Sequence, residues 1–91
     1  MKITDVKIFK TKRKEPVLGY ANVILDNKFI IRGITLLETE KNGRYISMPA
    51  RRLSGEKISY RDICHPLNSD VREELTKEVF AAYDEFIESE E

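Results

Sequence analysis

The hydrophobic pattern of this chain changes period once, at His65-Pro66. Before that point apolar residues alternate, Val6 with Ile8 and then Ala21, Val23 and Leu25, within runs rich in β-branched side chains. Alternation is the mark of half-buried strands, whose side chains point to opposite faces in turn. After it, Val71, Leu75, Val79, Ala82, Tyr83 and Phe86 recur at three- and four-residue intervals, which gathers them on one stripe of a helix of about four turns. One-faced strands followed by a one-striped helix bury their apolar surface by packing on each other, so the pattern predicts an α+β fold with the helix laid on an antiparallel sheet. The 91 residues provide for one domain over 1–91. A domain of this size buries only about 60–65% of the surface of its unfolded chain, which disfavours a deep enclosed pocket and makes a homodimer a natural way to bury more.

Turn residues divide the first part into a five-stranded meander over about 2–63. Strands are predicted over 3–10, 17–25, 28–37, 44–48 and 57–63, separated by the basic loop 11–16, Asp26-Asn27, Asn42-Gly43 and the longest loop, 50–55. Pro16 keeps the first loop out of the ladder, and Pro49 ends the fourth strand. Gly33 inside the third run predicts a bulge or a close backbone approach. The helix is predicted over about 69–87, capped by Asn68, Ser69 or Asp70, with Asp70 and Glu73 spaced as a capping box. The acidic tail 88–91 is expected to fray.

The 16 basic and 16 acidic residues cancel overall, yet residues 1–65 hold 14 basic and 7 acidic side chains while 66–91 hold 2 and 9. A net +7 followed by −7 fits either a polyanion-binding surface opposed by an acidic segment or two solvated faces that attract each other. With Cys64 the single cysteine and His65 the single histidine, neither an intramolecular disulfide nor a Cys/His zinc cluster can form within one chain. No apolar run reaches the roughly 20 residues of a membrane helix, and the first ten residues lack a signal-peptide block. A cytoplasmic protein without a membrane partner is expected.

Catalytic chemistry finds little support. Cys64 and His65 could form an activated nucleophile, but neighbours on an extended segment face opposite ways, and Pro66 holds residue 65 extended. The four glycines are at least ten residues apart, so no phosphate-cradling loop or nucleotide cofactor site is formed. Nucleic-acid binding is better served. Arg51 and Arg52, read here as lying on the 50–55 loop, can fork onto phosphate oxygens. Lys12, Arg13 and Lys14, next to Lys10, and Arg72 in the helix are further candidates. The four tyrosines and four phenylalanines are read as core residues rather than stacking platforms.

Ile3-Thr4-Asp5-Val6, Ile24-Leu25-Asp26 with Phe29, Met48-Pro49-Ala50-Arg51-Arg52 and Arg61-Asp62-Ile63-Cys64-His65-Pro66-Leu67-Asn68 together resemble the SpoVG family, the stage V sporulation protein G or septation proteins. The resemblance runs through nearly the whole chain. It implies a small dimeric cytoplasmic regulator, not an enzyme, that binds DNA and in some members RNA and influences gene expression, sporulation and septation. It also implies that the basic pair after Met-Pro, here Arg51 and Arg52, contacts the nucleic acid together with the neighbouring helical region. Two departures from the family pattern are a longer stretch between that pair and Arg61, and Cys64 where a small alanine is common. The alternative reading is a protein-interaction module acting on the division or sporulation machinery through a sheet edge or the acidic helix.

Overall fold

The computed structural model describes residues 2–11, 16–55 and 59–89. The predicted α+β class holds, with six strands in place of five: β1 (Ile3–Phe9), β2 (Val17–Leu25), β3 (Phe29–Thr39), β4 (Gly43–Ser47), β5 (Ala50–Leu53) and β6 (Ser59–Asp62), followed by α1 (Ser69–Ser89). The first four form an antiparallel sheet in the order β1-β2-β3-β4, whereas β5 and β6 make a separate two-stranded ribbon. The segment read as a loop at 50–53 is therefore a strand, and the last predicted strand pairs with it instead of extending the meander. Lys57 and Ile58 of that prediction lie outside the described residues, as do the basic residues 12–14 of the first loop.

Turn chemistry sets the register. Asp26 and Asn27 both adopt left-handed backbone conformations, at φ 52° and 55°, and Lys28 N donates to Leu25 O at 2.9 Å. Leu25 pairs with Phe29, so Asp26, Asn27 and Lys28 form a three-residue connection whose left-handed residues turn the chain tightly between the strands. The predicted bulge is present at Gly33. Ala21 pairs with Ile34 and Val23 with Ile31, so two β3 residues oppose Asn22 alone. Gly33 takes φ +81° there, and its amide donates to Asn22 Oδ1 at 3.2 Å, replacing the interrupted rung. A second irregularity falls between Ile3 and Asp5. Thr4 Oγ1 repairs it by donating to Ile24 O at 3.1 Å and accepting from Asn27 N at 3.0 Å.

One face of the sheet carries the core: Ala21, Val23, Leu25, Ile34, Leu36, Ile46 and, just past β4, Met48 bury against Leu75, Val79 and Phe80 of α1. The helix begins at Asn68, whose Oδ1 accepts from Val71 N at 2.9 Å. Asn68 is thus the cap among the three residues considered, and the Asp70–Glu73 capping box does not form the cap. Helical structure continues through Glu88 and Ser89, two residues of the tail expected to fray; residues 90–91 lie outside the described part. Phe80, absent from the predicted stripe, flanks it and is buried.

Arg44 on β4 explains that burial. Its Nη1 lies 3.0 Å from Asp84 Oδ1 and its Nε 3.4 Å from Glu38 Oε2, while Cζ sits 5.2 Å from the Phe80 ring centre and 5.8 Å from that of Tyr83. The hydrogen bond with Asp84 raises the guanidinium's pKa above its ordinary value. At its other side α1 meets β1, where Glu78, Ala81, Ala82 and Glu85 share a groove with Ile3, Thr4, Asp5 and Val6. The helix consequently crosses the whole sheet and leaves the opposite face uncovered by any described element.

Candidate nucleic-acid interface

The Met48-Pro49 step carries the chain out of the core into the ribbon. Met48 is buried, Cys64 is half-buried in an apolar cleft with Ile3, Leu25, Ile31 and Leu75, and between them Ile63 N donates to Pro49 O at 2.7 Å. The ribbon is fastened at this root. Beyond it, every described ribbon residue is exposed except Leu53, which is half-buried. A two-stranded ribbon is marginal by itself in water, so the attachment at Met48 and Cys64 determines where it projects.

The register places Arg51 opposite Arg61 and Arg52 opposite Tyr60, with Ala50 opposite Asp62. Because strand side chains alternate, Arg51 and Arg61 share one face, and Arg52, Tyr60 and Asp62 share the other. Directly opposed side chains have Cβ atoms only about 4.5–5.5 Å apart, and like charges in that relation repel. Among the described residues no carboxylate lies within ion-pair distance of Arg51, Arg52 or Arg61. Asp62, diagonal to Arg52 on its face, is beyond that distance too. Glu56, between the two ribbon strands in sequence, lies outside the described residues.

Arg61 and Tyr60 join Arg51 and Arg52 only through this pairing, their partners lying ten and eight residues away in sequence but adjacent in space. Arg72 does not join them. It sits half-buried in the first turn of α1, its carbonyl accepting from Thr76 Oγ1 at 2.8 Å, and no hydrogen bond or ion pair links its side chain to the described residues of the ribbon. Lys12, Arg13 and Lys14 cannot be placed relative to it, being outside the described residues.

The assignment of the aromatic residues to the core fails for half of them. Phe80 alone is buried, and Phe9, Phe29, Tyr45 and Tyr60 are exposed, Tyr60 to 68%. A ring on a ribbon detached from the main sheet has no second layer to bury it. His65 and Cys64 show no thiol–imidazole contact: the His65 ring is exposed, and its Nδ1 lies 3.0 Å from Pro66 O, to which it donates. Among the described residues no group of three or more His, Cys, Asp or Glu side chains could hold a metal ion, and no helix is long and apolar enough to cross a membrane.

The fold and this site define a small α+β domain: a four-stranded antiparallel sheet with one crossing helix and a separate arginine-bearing ribbon. Residues 1–85 match the model of the SpoVG family, and the chain belongs to that family. Among its relatives, the SpoVG septation protein of Archaeoglobus fulgidus is 39% identical over 83 residues, covering 91% of this chain and 94% of the relative. That of Lachnospira eligens is 37% identical over 90 residues, 97% and 99% of the two chains. A third, from Alkaliphilus metalliredigens, is 39% identical over 83 residues, 91% of this chain and 82% of its own.

Proposed function

We propose that this protein is a non-enzymatic, cytoplasmic, nucleic-acid-binding regulator that takes DNA or RNA on the β5–β6 ribbon, needs no cofactor, and influences gene expression in the setting of septation and sporulation. The observation that carries this reading is the direct opposition of Arg51 and Arg61, with Arg52 on the reverse face and, among the described residues, no carboxylate within ion-pair distance of any of the three. A polyanion supplies the missing counter-charge, and guanidinium groups suit phosphate because they donate two parallel hydrogen bonds. The setting is inferred from the septation-protein names of the relatives.

The same reading includes a homodimer. The outer strand β4 pairs on one side only, and the helix-free face of the sheet exposes Phe9, Ile30 and Tyr45, surface that a second copy would remove from water. Sedimentation at micromolar concentration should give the dimer mass; a monomer would count against it.

Each phosphate contact contributes about 0.9 to the slope of log affinity against log salt on duplex DNA and about 0.7 on a single strand. Replacing Arg51 and Arg52 by alanine should therefore flatten the duplex slope by up to about 3.6 per dimer, with circular dichroism unchanged. An unaltered slope in a folded double variant would remove the ribbon from the binding site. The uncovered sheet face supports a second reading, a protein-interaction module; salt-insensitive capture of a protein partner, with no affinity for nucleic acid, would favour it.

A further inference from the structure

We infer that Tyr60 is a stacking platform for an unpaired base, which makes a single-stranded nucleic acid the preferred ligand of the ribbon; this rests on the ribbon being the binding site. Tyr60 is 68% exposed, and no aromatic or cation–π partner occupies its ring among the described residues, where such contacts are made by Arg44, Phe80 and Tyr83. Among the described residues no layer packs over this face of the ribbon, so the ring is held out by the strand pairing and not by a hydrophobic requirement of the fold. Arg52, its direct cross-strand neighbour on the same face, is placed to take the phosphate next to a stacked base. Arg51 and Arg61 on the reverse face extend the positive field along the strand as it leaves the ring.

A base presents its flat face only when unpaired and unstacked, whereas in a duplex both faces are covered by neighbouring base pairs. Side chains that wedge into duplex steps are apolar. Tyr60 carries a hydroxyl and is flanked on its face by Arg52 and Asp62, a polar setting that suits stacking on an accessible base. Two of the three ribbon arginines could serve either ligand, so the ring is the group that distinguishes them.

The test compares a mixed-sequence single-stranded DNA oligonucleotide, the RNA of the same sequence and the duplex made with the DNA complement, each titrated at one fixed salt concentration. Tyr60→Ala should weaken both single strands by roughly 5- to 150-fold and leave the duplex within about twofold. Tyr60→Leu, which keeps bulk and strand compatibility, should show the same selective loss, and Tyr60→Phe should restore binding, since the ring and not the hydroxyl does the stacking. Equal losses on all ligands, or no loss in folded Tyr60→Ala and Tyr60→Leu proteins, would overturn the inference. The Arg51→Ala/Arg52→Ala protein separates this failure from that of the underlying reading: if it still loses affinity, only the stacking role falls; if it binds all ligands unchanged, the ribbon is not the site and both fall.

Discussion

Arg51 and Arg44 are both exposed-side arginines on strands, yet their surroundings give them opposite relations to stability. Arg44 is held by Asp84 and Glu38 and lies over two rings; Arg51 stands directly opposite another arginine and has no ion-pair partner among the described residues. Arg44→Ala should lower stability by about 1–3 kcal/mol, combining the loss of a partly screened ion pair with that of a cation–π contact and its covering of Phe80. Arg44→Lys should recover only part of this, because an ammonium cannot stack flat on the rings while holding both carboxylates. Denaturant midpoints of the three proteins check both statements. For Arg51→Ala the expected sign is reversed: removing one of two opposed like charges should leave stability unchanged or raise it by about 0.2–1 kcal/mol, while nucleic-acid affinity falls. A clear destabilisation would mean that Arg51 supports the ribbon rather than serving a ligand.

At the scale of elements, the strands and helix are positioned by a few backbone constraints. A Cβ placed on Gly19 would come 2.9 Å from Phe9 O, so Gly19→Ala has to push β1 away from β2 at the point where Phe9 pairs with Tyr20. Gly33 presents the other case. Its Cβ position is open, but φ +81° makes a side chain strained, at a cost of about 1–2 kcal/mol. Thermal unfolding should show Gly19→Ala as the more damaging of the two, because displaced backbone disturbs several rungs and a local strain only one residue. Asn68→Ala should cost about 1 kcal/mol by removing the acceptor for the Val71 amide. The family motif residues at these places, Thr4, Asp26 and Asn68, thus have visible structural work: Asp26 Oδ1 accepts from Lys2 N at 2.9 Å, and Thr4 completes the irregular β1–β2 pairing.

For the whole molecule the dominant property is the separation of charge, +7 over residues 1–65 and −7 over 66–91. The acidic residues are concentrated on α1 and beyond, and the positive ribbon stands off the sheet. Long-range repulsion between the acidic segment and a polyanion opposes association even without contact. Deleting residues 88–91, three of which are glutamates, should therefore strengthen nucleic-acid binding modestly at low salt. The gain should vanish as the screening length shrinks to about 8 Å near physiological ionic strength. Unchanged affinity at low salt would place the tail too far from the ribbon to matter.

What the sequence determined by itself were the features with a local physical cause. Hydrophobic period separated strands from helix, because each backbone repeats its side-chain direction at its own interval. Asp26-Asn27, Gly33 and Pro49 announced a turn, a bulge and a strand end because few residues tolerate or enforce those backbone conformations. The SpoVG likeness was legible from ordered motifs. The strand at 50–53 was not, since Ala50-Arg51-Arg52-Leu53 has no alternation to read and becomes a strand only when residues 59–62 return beside it. Tertiary structure alone decided that Arg61 stands opposite Arg51 and that the Tyr60 ring is left outside the core. It also placed Arg44 on β4 over Phe80 of the helix, far away in the chain. Alternation tells which residues share a face; only the packing of distant elements tells whether anything covers that face.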